Sequence, residues 1–145
     1  MRIIDTMVII ASLNPSHKLY KKAYKHLQSV LLEDDVWVPS FVLLEFDLTL
    51  KSKNFSEEER SRFFEKLDQI IPKNKILLVT PRILKRAAYM KDNVEYFDSL
   101  IASIALEYGA EIISKDHIFS KNRYQYIMVI LRYFFGESSE MRWEI

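Results

Sequence analysis

The segment from Val94 to Phe119, VEYFDSLIASIALEYGAEIISKDHIF, constrains the fold more than any other part of the chain. A polar start, an apolar run with helical spacing, a break at Gly109 and a short apolar run ending in Ser114-Lys115-Asp116 read as helix, turn and strand. Asp98 stands where the helix should begin and Asp116 where the strand should end. In a right-handed α/β arrangement both ends come to one edge of a sheet, the edge at which such folds bind ligands.

The amino-terminal segment follows the same grammar. Arg2-Ile3-Ile4-Asp5-Thr6 is an apolar run closed by an aspartate and a hydroxyl residue, and Met7 to Ala11 can open a helix, so Asp5 and Asp116 occupy equivalent positions. Glu45 lies within Phe41-Val42-Leu43-Leu44-Glu45-Phe46, an apolar stretch in which a charged side chain needs a partner or a metal. Each acid also has an ordinary structural use. Asp98 and Asp5 suit helix N-caps, and Asp116 with Ser114 suits a tight turn. Glu45 is the hardest to account for in that way.

The rest of the chain supplies an alternating frame. Asn14-Pro15-Ser16 is turn chemistry, with Ser16 a candidate cap for a helix from His17 to Glu33 whose apolar stripe is Leu19, Ala23, Leu27, Val30 and Leu31. Lys18, Lys21, Lys22 and Lys25 fall on its other face. Val36-Trp37-Val38 reads as a strand, and Ser40 as the cap of the helix carrying Glu45. Ser56 followed by three glutamates opens another helix, with the acids where the helix dipole favours them. Ile76 to Val79 reads as a buried parallel strand, and Thr80-Pro81 as a capped helix start. A last apolar run, Tyr126 to Leu131, reads as a further strand, and the tail 132–145 has no assignment. Long helical crossovers between strands imply a mostly parallel central sheet covered by helices on both faces.

Composition narrows the function. A chain of 145 residues fits one domain, expected over 1–145, with 49% hydrophobic and 28% charged residues. With no cysteine, thiolate zinc sites and disulfides are excluded, and three scattered histidines do not make a histidine cage. A net charge of +1 means that any grip on nucleic acid is local. Neither a signal peptide nor an apolar run of about 20 residues is present, so a cytoplasmic, soluble protein is expected.

Ile4-Asp5-Thr6, Leu44-Glu45, Phe97-Asp98-Ser99-Leu100-Ile101-Ala102 and Ile113-Ser114-Lys115-Asp116 with Phe119, in this order and spacing, resemble the PIN-domain family of nucleases, especially the small VapC-type toxins. Met7 departs from the asparagine or serine common there. The resemblance implies a three-layer α/β/α domain and a metal-dependent endoribonuclease. Asp5, Glu45, Asp98 and Asp116 would hold magnesium or manganese, and Thr6 and Ser114 would orient carboxylates or waters through their hydroxyls. Lys115, His117 and Arg123 lie near enough in sequence to meet phosphate. An antitoxin peptide is an expected partner, and a homodimer is compatible with the apolar helix faces. The alternatives are an RNA-processing or DNA-directed nuclease without an antitoxin, and a catalytically silent RNA- or protein-binding module.

Overall fold

The computed structural model describes residues 1–90 and 95–114. Within them the order is β1 (Arg2–Ile4), α1 (Thr6–Ser12), α2 (Tyr20–Leu32), β2 (Val36–Pro39), α3 (Ser40–Ser52), α4 (Glu57–Ile70), β3 (Ile76–Leu77), α5 (Pro81–Ala88), α6 (Tyr96–Tyr108) and β4 (Glu111–Ile113). The expected run from Tyr126 to Leu131 and the tail lie outside the described residues. The strands form one sheet in the order β3-β2-β1-β4, with every pair parallel. Among the described residues no helix is long and apolar enough to cross a membrane.

Parallel neighbours need crossovers, and right-handed crossovers dictate where the helices go. The path β1 to β2 to β3 moves outward in one direction, which places α1 to α4 on one face. The path from β3 to β4 moves back past two strands, which places α5 and α6 on the other. Packing agrees: α1 meets α2 and α3, α2 meets α4, and α5 meets α6, while α3 touches α6. The three-layer arrangement expected from the sequence is thus formed. The strand order reverses between β1 and β4, so the crevice beyond their carboxyl ends is the place where such a sheet leaves room for a ligand.

The core is continuous and aliphatic. Ile3, Ile4, Val8, Ile9, Leu27, Val30, Val36, Val38, Val42, Ile83, Ile101 and Ile104 are all fully or almost fully buried. Along α6 every residue from Ser99 to Ala105 is buried, serines included. Their hydroxyls are satisfied within the helix, Ser99 donating to the Tyr96 carbonyl at 2.6 Å and Ser103 to the Ser99 carbonyl at 2.7 Å. Gly109 ends α6 in the left-handed conformation at φ 58°, which a residue without Cβ adopts cheaply.

At the opposite, amino edge of the sheet, the Arg2 guanidinium forks onto Asp35 at 2.9 and 2.8 Å and also binds Glu33. The Arg2 backbone N–H donates to the Asp35 carbonyl at 2.7 Å. These bonds pin the end of α2 to the start of β1.

Local signals held where a cap was well formed. Ser56 and Glu59 make a reciprocal capping box at α4, and Thr80 accepts from Ile83 N ahead of Pro81. Ser56→Ala is expected to cost about 1 kcal/mol of stability in urea unfolding, the usual worth of such a cap. Four local expectations are corrected. Ser16 does not cap α2, which starts at Tyr20 after turns fixed by Asn14 Oδ1 and His17 Nδ1, with Leu19 at the cap position. Ser40 lies inside α3, whose N-cap is Pro39, and its hydroxyl instead accepts from Val79 N at 3.3 Å. Leu31 is exposed, because only Ala23, Leu27 and Val30 of the proposed stripe reach the core. β3 stops at Leu77, leaving Leu78 exposed at the sheet's edge.

Candidate active site

Asp5 leaves β1 in extended conformation (φ −84°, ψ 155°) and becomes the N-cap of α1. Its Oδ1 accepts from Thr6 N at 2.8 Å, and its Oδ2 accepts from the Ser114 hydroxyl at 3.0 Å. The register explains the second bond. Ile4 pairs with Ile113, so the next residues along the two strands, Asp5 and Ser114, emerge side by side at the carboxyl edge. The backbone seals the junction, Asp5 N donating to the Ile113 carbonyl at 3.0 Å.

Thr6 is buried, and its hydroxyl donates to Glu45 Oε2 on α3. Glu45 is half-buried on a helix whose neighbouring side chains Phe41, Val42 and Phe46 sit in the core. Asp98 is also half-buried, in the first turn of α6. It is not the helix cap: Glu95 holds that position, with no side-chain cap bond, and Asp98 lies three residues further on. Phe97 beside it stacks on Phe41 at 6.1 Å, which ties the first turn of α6 to the first turn of α3, one turn before Glu45.

Electrostatics connects the three acids. Burial raises the pKa of Glu45 above the ordinary glutamate range, the hydrogen bond from Thr6 opposes that rise, and the charges of Asp5, Asp98 and Glu95 add to it. The strongest charges acting on Glu45 are therefore all negative. Because the folded protein keeps this proton to a higher pH than the unfolded chain, the group favours folding below the ordinary glutamate range. That contribution is lost as pH rises through the raised value. In chelator, Glu45→Gln is accordingly expected to raise the melting temperature at neutral pH. The gain should vanish below about pH 4, where both states are protonated. Thermal melts followed by circular dichroism across pH check this.

Asp5 and Glu45 thus share Thr6 as a bridge, and Asp98 stands within electrostatic reach of Glu45. Among the described residues no three acids or histidines are grouped closely enough to hold one ion. Asp116, Lys115, His117 and Arg123 lie outside the described residues. The chemistry of the donor set, oxygen atoms only and with negative charge accumulated around Glu45, fits a hard divalent cation. Thr6 and Ser114 were expected to orient carboxylates, but which acid each serves had no signal in the sequence. Each hydroxyl serves a distant acid, Thr6 reaching Glu45 and Ser114 reaching Asp5. Glu95 adds its negative charge to those acting on Glu45. A separate groove of about 390 Å³ between α3, α4 and β3, lined by Leu43, Phe64, Leu67 and Ile71 with Glu65 and Asp68, involves none of the site residues.

A parallel α/β sheet with Asp5 at the carboxyl end of β1, and with Glu45 on α3 under the negative charge of Asp5 and Asp98, defines the class of the domain. The chain belongs to the PIN domain family, whose profile matches residues 2–123. Its fold is shared with the crystal structure of FitAcB from Neisseria gonorrhoeae, at 21% identity and a TM-score of 0.61, over 81% of this chain and 88% of that one. VapBC2 from Rickettsia felis, bound to a DNA fragment from its promoter, aligns at 16% identity and a TM-score of 0.62, over 83% and 90%. Mycobacterium tuberculosis VapC20, described as a toxin that cleaves the sarcin-ricin loop, aligns at 14% identity and a TM-score of 0.61, over 83% and 93%. Comparison with curated protein sequences gives no match.

Proposed function

We propose that the chain is a single PIN nuclease domain, a magnesium- or manganese-dependent endoribonuclease acting in the cytoplasm. The observation that supports this reading is the negative charge of Asp5, Asp98 and Glu95 acting on the half-buried Glu45, close to the carboxyl edge where Asp5 follows β1. Like charges brought together in a half-buried cleft raise the free energy of the fold, and a cation is what offsets that cost. No three described acids group around one ion, so the proposed ligand set of Asp5, Glu45 and Asp98 would need Asp116, which lies outside the described residues, to complete it. When bound, the metal supplies a water acidic enough to attack phosphorus and a counter-charge for the departing oxygen.

The residues of this chain position and tune. Ser114 and the Thr6 amide fix the Asp5 carboxylate by one hydrogen bond to each oxygen, so its orientation is set before a ligand arrives. Thr6 does the same for one oxygen of Glu45 and leaves the other for a ligand. Partial burial of Glu45 weakens the screening of its charge by water. RNA is favoured over DNA because VapC20, which shares the fold, is named as cleaving the sarcin-ricin loop. A structure from Klebsiella pneumoniae with the same fold is described as a toxin-antitoxin complex (TM-score 0.57, 15% identity), which supports an antitoxin partner. Leu44 and Leu48, exposed one turn apart on α3, support a homodimer.

The test is cleavage of a mixed-sequence single-stranded RNA with manganese, magnesium or chelator. Metal-dependent internal cutting supports the reading. No cutting under any condition, together with no rise in melting temperature on adding metal, leaves the silent binding module in its place.

A further inference from the structure

The near-neutral net charge conceals a strong segregation along the chain. From Thr6 to Leu32 there is no Asp or Glu and there are four lysines, Lys18, Lys21, Lys22 and Lys25. From Glu33 to Asp68 ten acids face five Lys or Arg residues. All four lysines are exposed, and among the described residues none of them joins an ion pair, whereas Arg2, Arg60, Arg62, Arg82 and Arg86 each bind an acid. On α2, Lys21 and Lys25 stand one turn apart opposite the buried Ala23, Leu27 and Val30, with Lys22 beside them and Lys18 in the turn before. Nearby charge is felt inside the helix: burial lowers the pKa of His26, and Lys22, Arg2 and Lys25 lower it further against the opposing charge of Glu33.

The direction of α2 gives this face its meaning. Its carboxyl end is held at the amino edge of the sheet by the bonds between Arg2 and Asp35. Thirteen helical residues span about 20 Å, whereas the four residues of β2 span only about 13 Å. Packed against β2 and running back along it, the helix carries Lys21 and Lys22 up to the carboxyl edge, the edge at which Asp5 emerges. A cleft lined by Asp5, Glu45, Asp98 and Glu95 repels a polyanion, so attraction has to be supplied from a neighbouring surface.

We infer that the lysine face of α2 is a track for the phosphate backbone of a single-stranded nucleic acid, delivering the strand to the acidic cleft. This rests on the nuclease reading above and names the surface by which that site gains its substrate. A nucleic acid fits better than an acidic polypeptide because Tyr20 and Tyr24, stacked on each other at 5.8 Å and only half-buried, leave aromatic surface beside the lysines on which a base can pack.

The experiment is fluorescence anisotropy of a labelled 20-nucleotide mixed-sequence RNA in chelator, titrated with the full chain at several salt concentrations. Each phosphate contact contributes about 0.7 to the slope of log affinity against log salt. Combining Lys21→Gln, Lys22→Gln and Lys25→Gln should lower that slope by about 2 and weaken binding at low salt by about tenfold or more. The triple Lys51→Gln, Lys53→Gln and Lys66→Gln, equally exposed and equal in charge removed, should leave the slope in place. An unchanged slope in the α2 variant, or an equal fall in both variants, overturns the track. Equal competition by polyglutamate at matched charge also overturns it, in favour of an acidic protein. A parent that cuts RNA while the α2 variant keeps its slope loses the track alone. A parent that binds through α2 but never cuts with manganese or magnesium retains the track and loses the nuclease reading.

Discussion

Asp5→Asn is expected to lower metal-dependent RNA cleavage at least about a hundredfold while moving the melting temperature by no more than about 2 °C. The two halves of this expectation have different causes. Asparagine caps a helix as well as aspartate does, and its amide oxygen still accepts from Thr6 N. The Ser114 hydroxyl can reverse its role and accept from the new NH2 group, so the bonds to Thr6 N and Ser114 survive. What disappears is the negative charge. Losing a group that merely orients a ligand commonly costs ten- to a hundredfold, and losing a ligand itself costs more. Cleavage that persists within a few fold of the parent would remove Asp5 from the metal site. A fall of many degrees would instead show that its charge serves the fold.

Ile104→Ala is expected to reduce the unfolding free energy by about 2 to 5 kcal/mol, measured by urea denaturation. Ile104 is fully buried in α6, where every neighbour from Ser99 to Ala105 is also buried, so the space left behind cannot be filled by movement of an exposed side chain. In a domain of this size each kcal/mol lowers the melting temperature by roughly 2 to 4 °C or somewhat more, so the shift should be large. The same helix carries Asp98 in its first turn. A loss below about 1 kcal/mol would mean that the α6 core is loosely packed.

Where the sequence was legible, local physics was sufficient. Parallel strands end at one edge, so an apolar run closed by an acid locates that acid without knowledge of the fold, as for Asp5 after β1. Ser56 and Thr80 were readable because their partners lie three residues away. Expectations failed where a more distant contact competed. Ser40 looked like a cap, but Pro39 already held that position in extended conformation, and the Ser40 hydroxyl found Val79 N across the sheet. Leu31 had a plausible periodicity, but α2 rests on the sheet along a narrower stripe than the pattern allowed. Asp98 had the grammar of a cap and is instead a first-turn residue, because the helix begins at Tyr96. The crossing of the two hydroxyls depends on the β1–β4 register and on α3 lying against α1, neither of which any local pattern encodes.

The bond between Ser114 and Asp5 joins residues 109 positions apart. β1, one of the two strands with neighbours on both sides, is the first strand described, yet one of its neighbours is the last. During synthesis Asp5, Thr6 and Glu45 therefore emerge early and wait, and β1 lacks half of its pairing until β4 has been made. A contact of such sequence separation is among the last to form. The surroundings of Asp5 accordingly mature only after β4 has been made, and chains that stop before Ser114 lack its hydrogen bond to the Asp5 carboxylate. The order of the strands thus delays the full set of hydrogen bonds at Asp5 until more than a hundred further residues have been added.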